Sequence, residues 1–266
     1  MLITISHTLG LTLGPGIVRS VQHVLLTPQT GPTQVVREWS IDMPGIAQAA
    51  SFIDGFGNRA HLVTQNRPEP ELTVSVKGVV DTIDRNGVIG KVPGEPPAAL
   101  YRRPSPLARA AGAITSKFRS APKDGQGRIA LLHDLMARVG EVVGGAASQS
   151  QSQDGASQSQ AQGEAEKVPA ADFAHAFIGA ARALEIPARY VTGYVATHGE
   201  ETFWHAWAEA WDDGLGWIAF DAALGYCPTD KHVRVATGLD AGNTAPVRCV
   251  PTVAEPAVQL SVSAAQ

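Results

Sequence analysis

Along residues 1–100 the apolar side chains recur at every second position in short runs, the period of a strand with one buried face. Leu2 to Thr8, Ser20 to Thr27, Val35 to Ile41, Ala60 to Thr64 and Leu72 to Thr82 are such runs, separated by Gly, Pro and Asp. The stretches FIDGFGN (Phe52 to Asn58) and TIDRNGV (Thr82 to Val88) supply hairpin-type turns between them. An antiparallel β-sandwich over residues 1–100 is therefore expected. Pro93, Pro96, Pro97, Pro104 and Pro106 follow, which predicts an extended connection and a domain boundary near residue 100.

Beyond the prolines the period becomes helical. Pro106 to Phe118 and Ile129 to Val143 read as helices, the second with Ile129, Leu132, Leu135, Met136 and Val139 on one side. Composition then shifts to Ser and Gln over Ala146 to Glu166, without an aromatic or large aliphatic residue. Such a tract buries too little to offset its ordering entropy, so residues 146–166 are expected to be a mobile insertion. From Asp172 to Leu184 the stripe Phe173, Phe177, Ala181, Leu184 predicts a buried helix, with Pro187 just past its end.

Period two returns with Tyr190, Thr192 and Tyr194, and again with His205, Trp207, Glu209 and Trp211, which alternate with alanines. Trp217 to Asp221 makes a third strand, joined to the second by the loop Asp212 to Gly216. A last alternation, Val258, Leu260 and Val262, predicts that the tail 249–266 returns as a strand to the first sheet. The expected class is α+β, an N-terminal β-sandwich followed by a domain over 107–248 in which a helix packs on an antiparallel sheet.

Length and charge bound the partners. A chain of 266 residues can bury two modest cores. With 21 Lys and Arg against 25 Asp and Glu, the formal charge is -4, and Arg102-Arg103 is too short a basic run to track phosphates. Nucleic acid is not an expected partner. Polar residues interrupt the apolar run that follows Met1, and no stretch approaches the roughly 20 residues that span a bilayer. A cytoplasmic location without membrane association is the expectation.

The chemistry lies in residues 170–221. A thiol acyl-transfer site needs a nucleophile at a helix start, a histidine base and a group that orients the base. His205 stands on the second of the three strands and Asp221 at the end of the third, while the helix start carries Ala170. Two of three roles are filled. Neither Cys227, in a Pro-containing loop, nor Cys249 is placed to substitute, and a disulfide between them is only weakly argued. The eight histidines form no set with metal-ligand spacing, His198 and His205 across their loop included. No cofactor or metal is expected.

Asp172, Phe173, Ala174 and His175 match a Cys-x-Asp-Phe-Ala-His helix start, and Ile186 to Tyr194 an Ile-Pro-Ala-Arg-Tyr-Val-x-Gly-Tyr strand. His205, Ala206, Trp207 and Glu209 match a His-Ala-Trp-x-Glu strand, and Gly216, Trp217, Phe220 and Asp221 a Gly-Trp-x-x-Phe-Asp-Pro ending. In this order and spacing the chain resembles the transglutaminase-like domain of bacterial proteins, a papain-like fold that includes cysteine proteases. The DGFGN turn and the His-Leu run after it resemble the N-terminal domain that accompanies the family. The resemblance implies that Ala170 occupies the position of the nucleophilic cysteine, with His205 as base and Asp221 as its orienter. His175, five residues beyond Ala170 and offset by roughly 140 degrees, is expected to be structural.

The chain departs from the pattern elsewhere too. Val168-Pro169 replaces the Gly-Val before the cysteine, and Ala222 the proline after the aspartate. These departures favour natural loss of the thiol over a deliberate Cys-to-Ala replacement. Three readings stay open: a pseudoenzyme that binds a peptide or protein, a Cys-to-Ala form of an active thiol acyltransferase or cysteine peptidase, and a structural or interaction protein.

Overall fold

The computed structural model describes residues 1–13, 15–120, 125–153, 168–196, 203–251 and 257–265. Six strands come first: β1 (Leu2–Thr12), β2 (Arg19–Thr27), β3 (Gln34–Asp42), β4 (Ala50–Ile53), β5 (Arg59–Asn66) and β6 (Glu71–Thr82). Strand β7 (Val88–Gly90) precedes three helices, α1 (Gly112–Thr115), α2 (Gly125–Gln153) and α3 (Ala170–Ala183). Strands β8 (Ala188–Val195), β9 (Phe203–Asp212), β10 (Gly216–Phe220) and β11 (His232–Gly238), the short helix α4 (Ala241–Thr244), and strands β12 (Val247–Val250) and β13 (Ala257–Ala265) complete the chain.

Two four-stranded sheets, β13-β1-β6-β3 and β12-β2-β5-β4, form the N-terminal sandwich. Alternation sets their faces: Ile3, Ile5, Leu9 and Leu11 of β1 are buried, as are Leu72, Val74 and Val76 of β6. Each fully buried aliphatic side chain contributes roughly 1.5–3 kcal/mol against exposure. The tail strand β13 pairs antiparallel with β1, Leu2 opposite Ala265, and β12 pairs with β2.

The third sheet runs β11-β8-β9-β10-β7 and is antiparallel throughout. Helix α3 lies against it, with Phe177, Ile178 and Ala181 in a cluster that includes Leu132, Leu135 and Val139 of α2 and Ala208 and Phe220 of the sheet. Every residue of β8 is buried. The sandwich and this sheet also share a core, in which Ile3, Ile5, Leu25 and Val80 meet Tyr194, Val233 and Val235.

Four expectations are corrected. The TIDRNGV turn forms, with Val88 N–H donating to Arg85 O at 3.0 Å, but it is no hairpin: β7 joins β10 of the third sheet. Strand β7 thus shares a sheet with β8, β9, β10 and β11 although it precedes the prolines. The proline-rich connection is not simply extended, because Ala98–Arg102 makes a 3-10 turn with Tyr101 fully buried. Arg182 of α3 ties it down, donating to Tyr101 O at 2.9 Å and to the Ser105 hydroxyl at 3.2 Å.

The helix expected over Pro106 to Phe118 is confined to α1 and a 3-10 turn, Ser116–Phe118. Its first part lies flat on α3, where a Cβ at Gly179 would stand 2.5 Å from the backbone of Arg109. Close packing overrides helix propensity there. Finally, α2 continues into the Ser/Gln tract as far as Gln153, since Ala, Ser and Gln contain no helix breaker. The rest of that tract, 154–167, lies outside the described residues. No described helix is long and apolar enough to cross a membrane.

Candidate active site

Ala170 is the first residue of α3 and is half-buried. Pro169 precedes it as the helix cap and makes no side-chain capping bond. The cap's own carbonyl accepts the Asp172 N–H at 3.0 Å. Helix α3 packs on β9, the strand that carries His205.

His205 and Asp221 come together. The histidine Nε2 lies 2.6 Å from Asp221 Oδ2, and both side chains are buried. Strand register explains the meeting: β9 and β10 form a hairpin in which Phe220 is opposite Ala208, and Asp221 follows where the chain turns. The carboxylate is held at several points. Its Oδ1 accepts the Leu224 N–H at 3.0 Å, and its backbone N–H donates to Tyr226 O at 3.1 Å. Burial alone would push the Asp221 carboxyl up, but hydrogen bonds and charge from His205 and a second histidine, His232, hold it below the usual carboxylate value.

His232 opens β11 and was not singled out as a site residue by the sequence. Its Nε2 lies 3.3 Å from the same Asp221 Oδ2. Trp207 contacts both histidine rings, with centroids 6.4 Å from His205 and 5.4 Å from His232. A histidine at a strand start carries no periodic signal, and its partner lies on another strand connection.

The other residues considered are engaged elsewhere. His175 accepts the Ala241 N–H on Nε2 at 3.2 Å and stacks on Tyr190 at 4.8 Å. Burial lowers its basicity. Cys227 and Cys249 are free thiols. Burial pushes the Cys227 thiol up to about 11 and the Cys249 thiol upward as well, the opposite of nucleophile activation. His198 lies outside the described residues. No His, Cys, Asp and Glu cluster able to hold a metal occurs among the described residues.

Behind the histidines sits a charge network. Arg189 Nε lies 2.6 Å from Glu209 Oε2 and its Nη1 2.7 Å from Glu95 Oε2, while Arg234 reaches Glu209 at 3.0 Å and Glu95 at 3.1 Å. The Arg189 guanidinium also lies 3.9 Å over the Trp217 ring. Burial raises the Glu209 carboxyl, yet Arg189 and Arg234 together hold it below its ordinary value. The paired charges lock β8, β9 and β11 to the connection that carries Glu95.

Two family models match this chain. Residues 115–222 match the transglutaminase-like superfamily and residues 3–81 the bacterial transglutaminase-like N-terminal region. The chain belongs to the bacterial transglutaminase-like family. An uncharacterized protein of Mycobacterium leprae (strain TN) is 22% identical to it over 260 residues, covering 91% of this chain and 90% of the relative. A crystal structure described as that of a candidate cysteine protease from Cytophaga hutchinsonii is 20% identical, with a TM-score of 0.67 over 100% of this chain and 91% of that one. The likeness shows the same transglutaminase-like α+β fold. In that family frame the first residue of α3, Ala170, carries a methyl group.

Proposed function

We propose that this chain is a catalytically silent transglutaminase-like protein that binds a peptide or protein segment at the His205 and Asp221 site. The observation that carries the reading is a buried His205–Asp221 pair at 2.6 Å on the sheet against which α3, whose first residue is Ala170, packs. A methyl group has no lone pair, so no acyl-enzyme can form there. A thiol pushed up to about 11 is about one part in ten thousand thiolate at neutral pH, so Cys227 does not replace it.

Pro169 supports natural loss of the thiol. It contributes no amide N–H next to position 170, so the approach to the helix start has one donor fewer for a developing oxyanion. The retained polar pair supports a binding role, because a buried carboxylate is costly unless its partners are all in place.

The test uses the chain as it stands. Amine incorporation into glutamine-bearing peptides and peptide hydrolysis are assayed, and the His205 ring signals are followed by NMR during titration with the same peptides. No thiol-dependent turnover and a saturable shift of His205 are expected. Turnover abolished by alkylation and by Cys227→Ser contradicts the silent reading. A His205 signal unmoved by any peptide or protein ligand favours a purely structural role.

A further inference from the structure

Asp221 has two imidazoles on one oxygen. His205 Nε2 is 2.6 Å and His232 Nε2 3.3 Å from Oδ2. The second nitrogen of His232 decides what that ring does. Its Nδ1 accepts the backbone N–H of Thr229 at 3.3 Å, across a tight turn in which the His232 N–H donates to Thr229 O at 3.1 Å. An imidazole whose Nδ1 accepts a hydrogen bond carries its proton on Nε2. The His232 N–H is thereby aimed at Asp221.

The ring has little freedom to leave. It is 6% exposed, meets Trp207 edge-on at 5.4 Å and Tyr226 at 6.1 Å, and begins a strand that is anchored two residues later by Arg234 to Glu209 and Glu95. The backbone N–H of Arg234 donates to Gln34 Oε1 at 2.8 Å, so the N-terminal sandwich also bears on this strand.

We propose that His232 is a positioning residue that clamps Asp221 through the same carboxylate oxygen that His205 meets. The clamp fixes the Oδ2 lone pairs between two N–H donors. His205 is then held with its proton on Nε2 and its basic nitrogen at Nδ1. The arrangement is an Asp221 centred on two histidines, of which one orients the carboxylate and the other answers to it. It rests on reading His205 and Asp221 as the retained frame.

Side-chain nitrogen NMR on the full chain tests it, with His232→Leu removing the donor and His232→Gln returning an N–H near the same place. In the parent, His232 should show the Nε2–H tautomer and His205 a protected Nε2–H. In His232→Leu, hydrogen exchange at His205 Nε2–H should quicken by about tenfold or more, the effect of one hydrogen bond to a charged group. His232→Gln should restore most of the protection, which a merely space-filling role would not produce.

A parent His205 without a protected Nε2–H overturns the frame and this proposal together. A protected His205 that is unchanged in folded His232→Leu overturns the proposal alone. Should His232→Leu not fold, the parent tautomer still decides, since a His232 protonated on Nδ1 overturns the clamp.

Discussion

Asn58 and Thr237 exchange two hydrogen bonds at 2.8 Å, Asn58 Nδ2 to Thr237 O and Thr237 N–H to Asn58 Oδ1. An amide side chain from the sandwich thus pairs with the outer edge of β11 as another strand would. Gln34 does the same three residues earlier, donating to Arg234 O and accepting its N–H, each at 2.8 Å. Two side chains cover an edge that would otherwise present open backbone groups. Asn58→Ala should leave Thr237 N–H and O unpaired and lower stability by about 2–4 kcal/mol. Urea denaturation of the parent and variant measures this, and a loss under about 0.5 kcal/mol would show that water replaces the amide.

Acid should weaken the contact between the two halves through His7. This β1 residue is 1% exposed and its Nδ1 lies 2.9 Å from the Tyr194 hydroxyl of β8. Burial pushes its pKa from 6.5 down to about 4. The folded state therefore favours the neutral ring, and the stability this gives is complete above pH 6.5 and lost as pH falls toward about 4. The shift corresponds to roughly 3 kcal/mol at full loss. Burial lowers His175 in the same direction, while Asp221, held low, adds its loss at more acid pH. Denaturation at about pH 7.5 and about pH 4.5 should show a larger drop for the parent than for His7→Asn, and equal drops would remove His7 from the account.

Gly193 should tolerate no side chain. It lies opposite His205 in the β8–β9 pairing. A Cβ there would stand 2.0 Å from Val233 O and 2.8 Å from the Trp207 ring, both in rigid surroundings. Gly193→Ala is expected to cost about 1–3 kcal/mol or more and to shift the His205 and His232 ring signals, because Trp207 touches both. A variant as stable as the parent with unmoved ring signals would contradict the close approach.

The sequence revealed faces better than it revealed partners. Strands β1, β2, β3, β5 and β6 were legible because their alternation runs over several residues, and α3 because Phe173, Phe177 and Ala181 repeat at helical spacing. Strand β7, Val88–Gly90, and β12, Val247–Val250, are too short to show a period, and turn chemistry at Asn86-Gly87 does not say which sheet receives the next strand. The His205 and Asp221 pair was legible from motif spacing. His232 and the Glu95, Arg189, Glu209, Arg234 network were not, since each contact joins distant strands through side chains that no local pattern links.

The most direct measurement is the alkylation of Ala170→Cys, followed against pH beside Cys227 and Cys249. A thiol at the start of α3, with His205 as base, should have a depressed pKa and react at neutral pH about tenfold or more faster than a free cysteine. Cys227, pushed up to about 11, should label slowly in the same sample. A position-170 thiol in folded protein that reacts no faster than free cysteine would contradict the claim that α3, His205 and Asp221 preserve the frame of an acyl-transfer site.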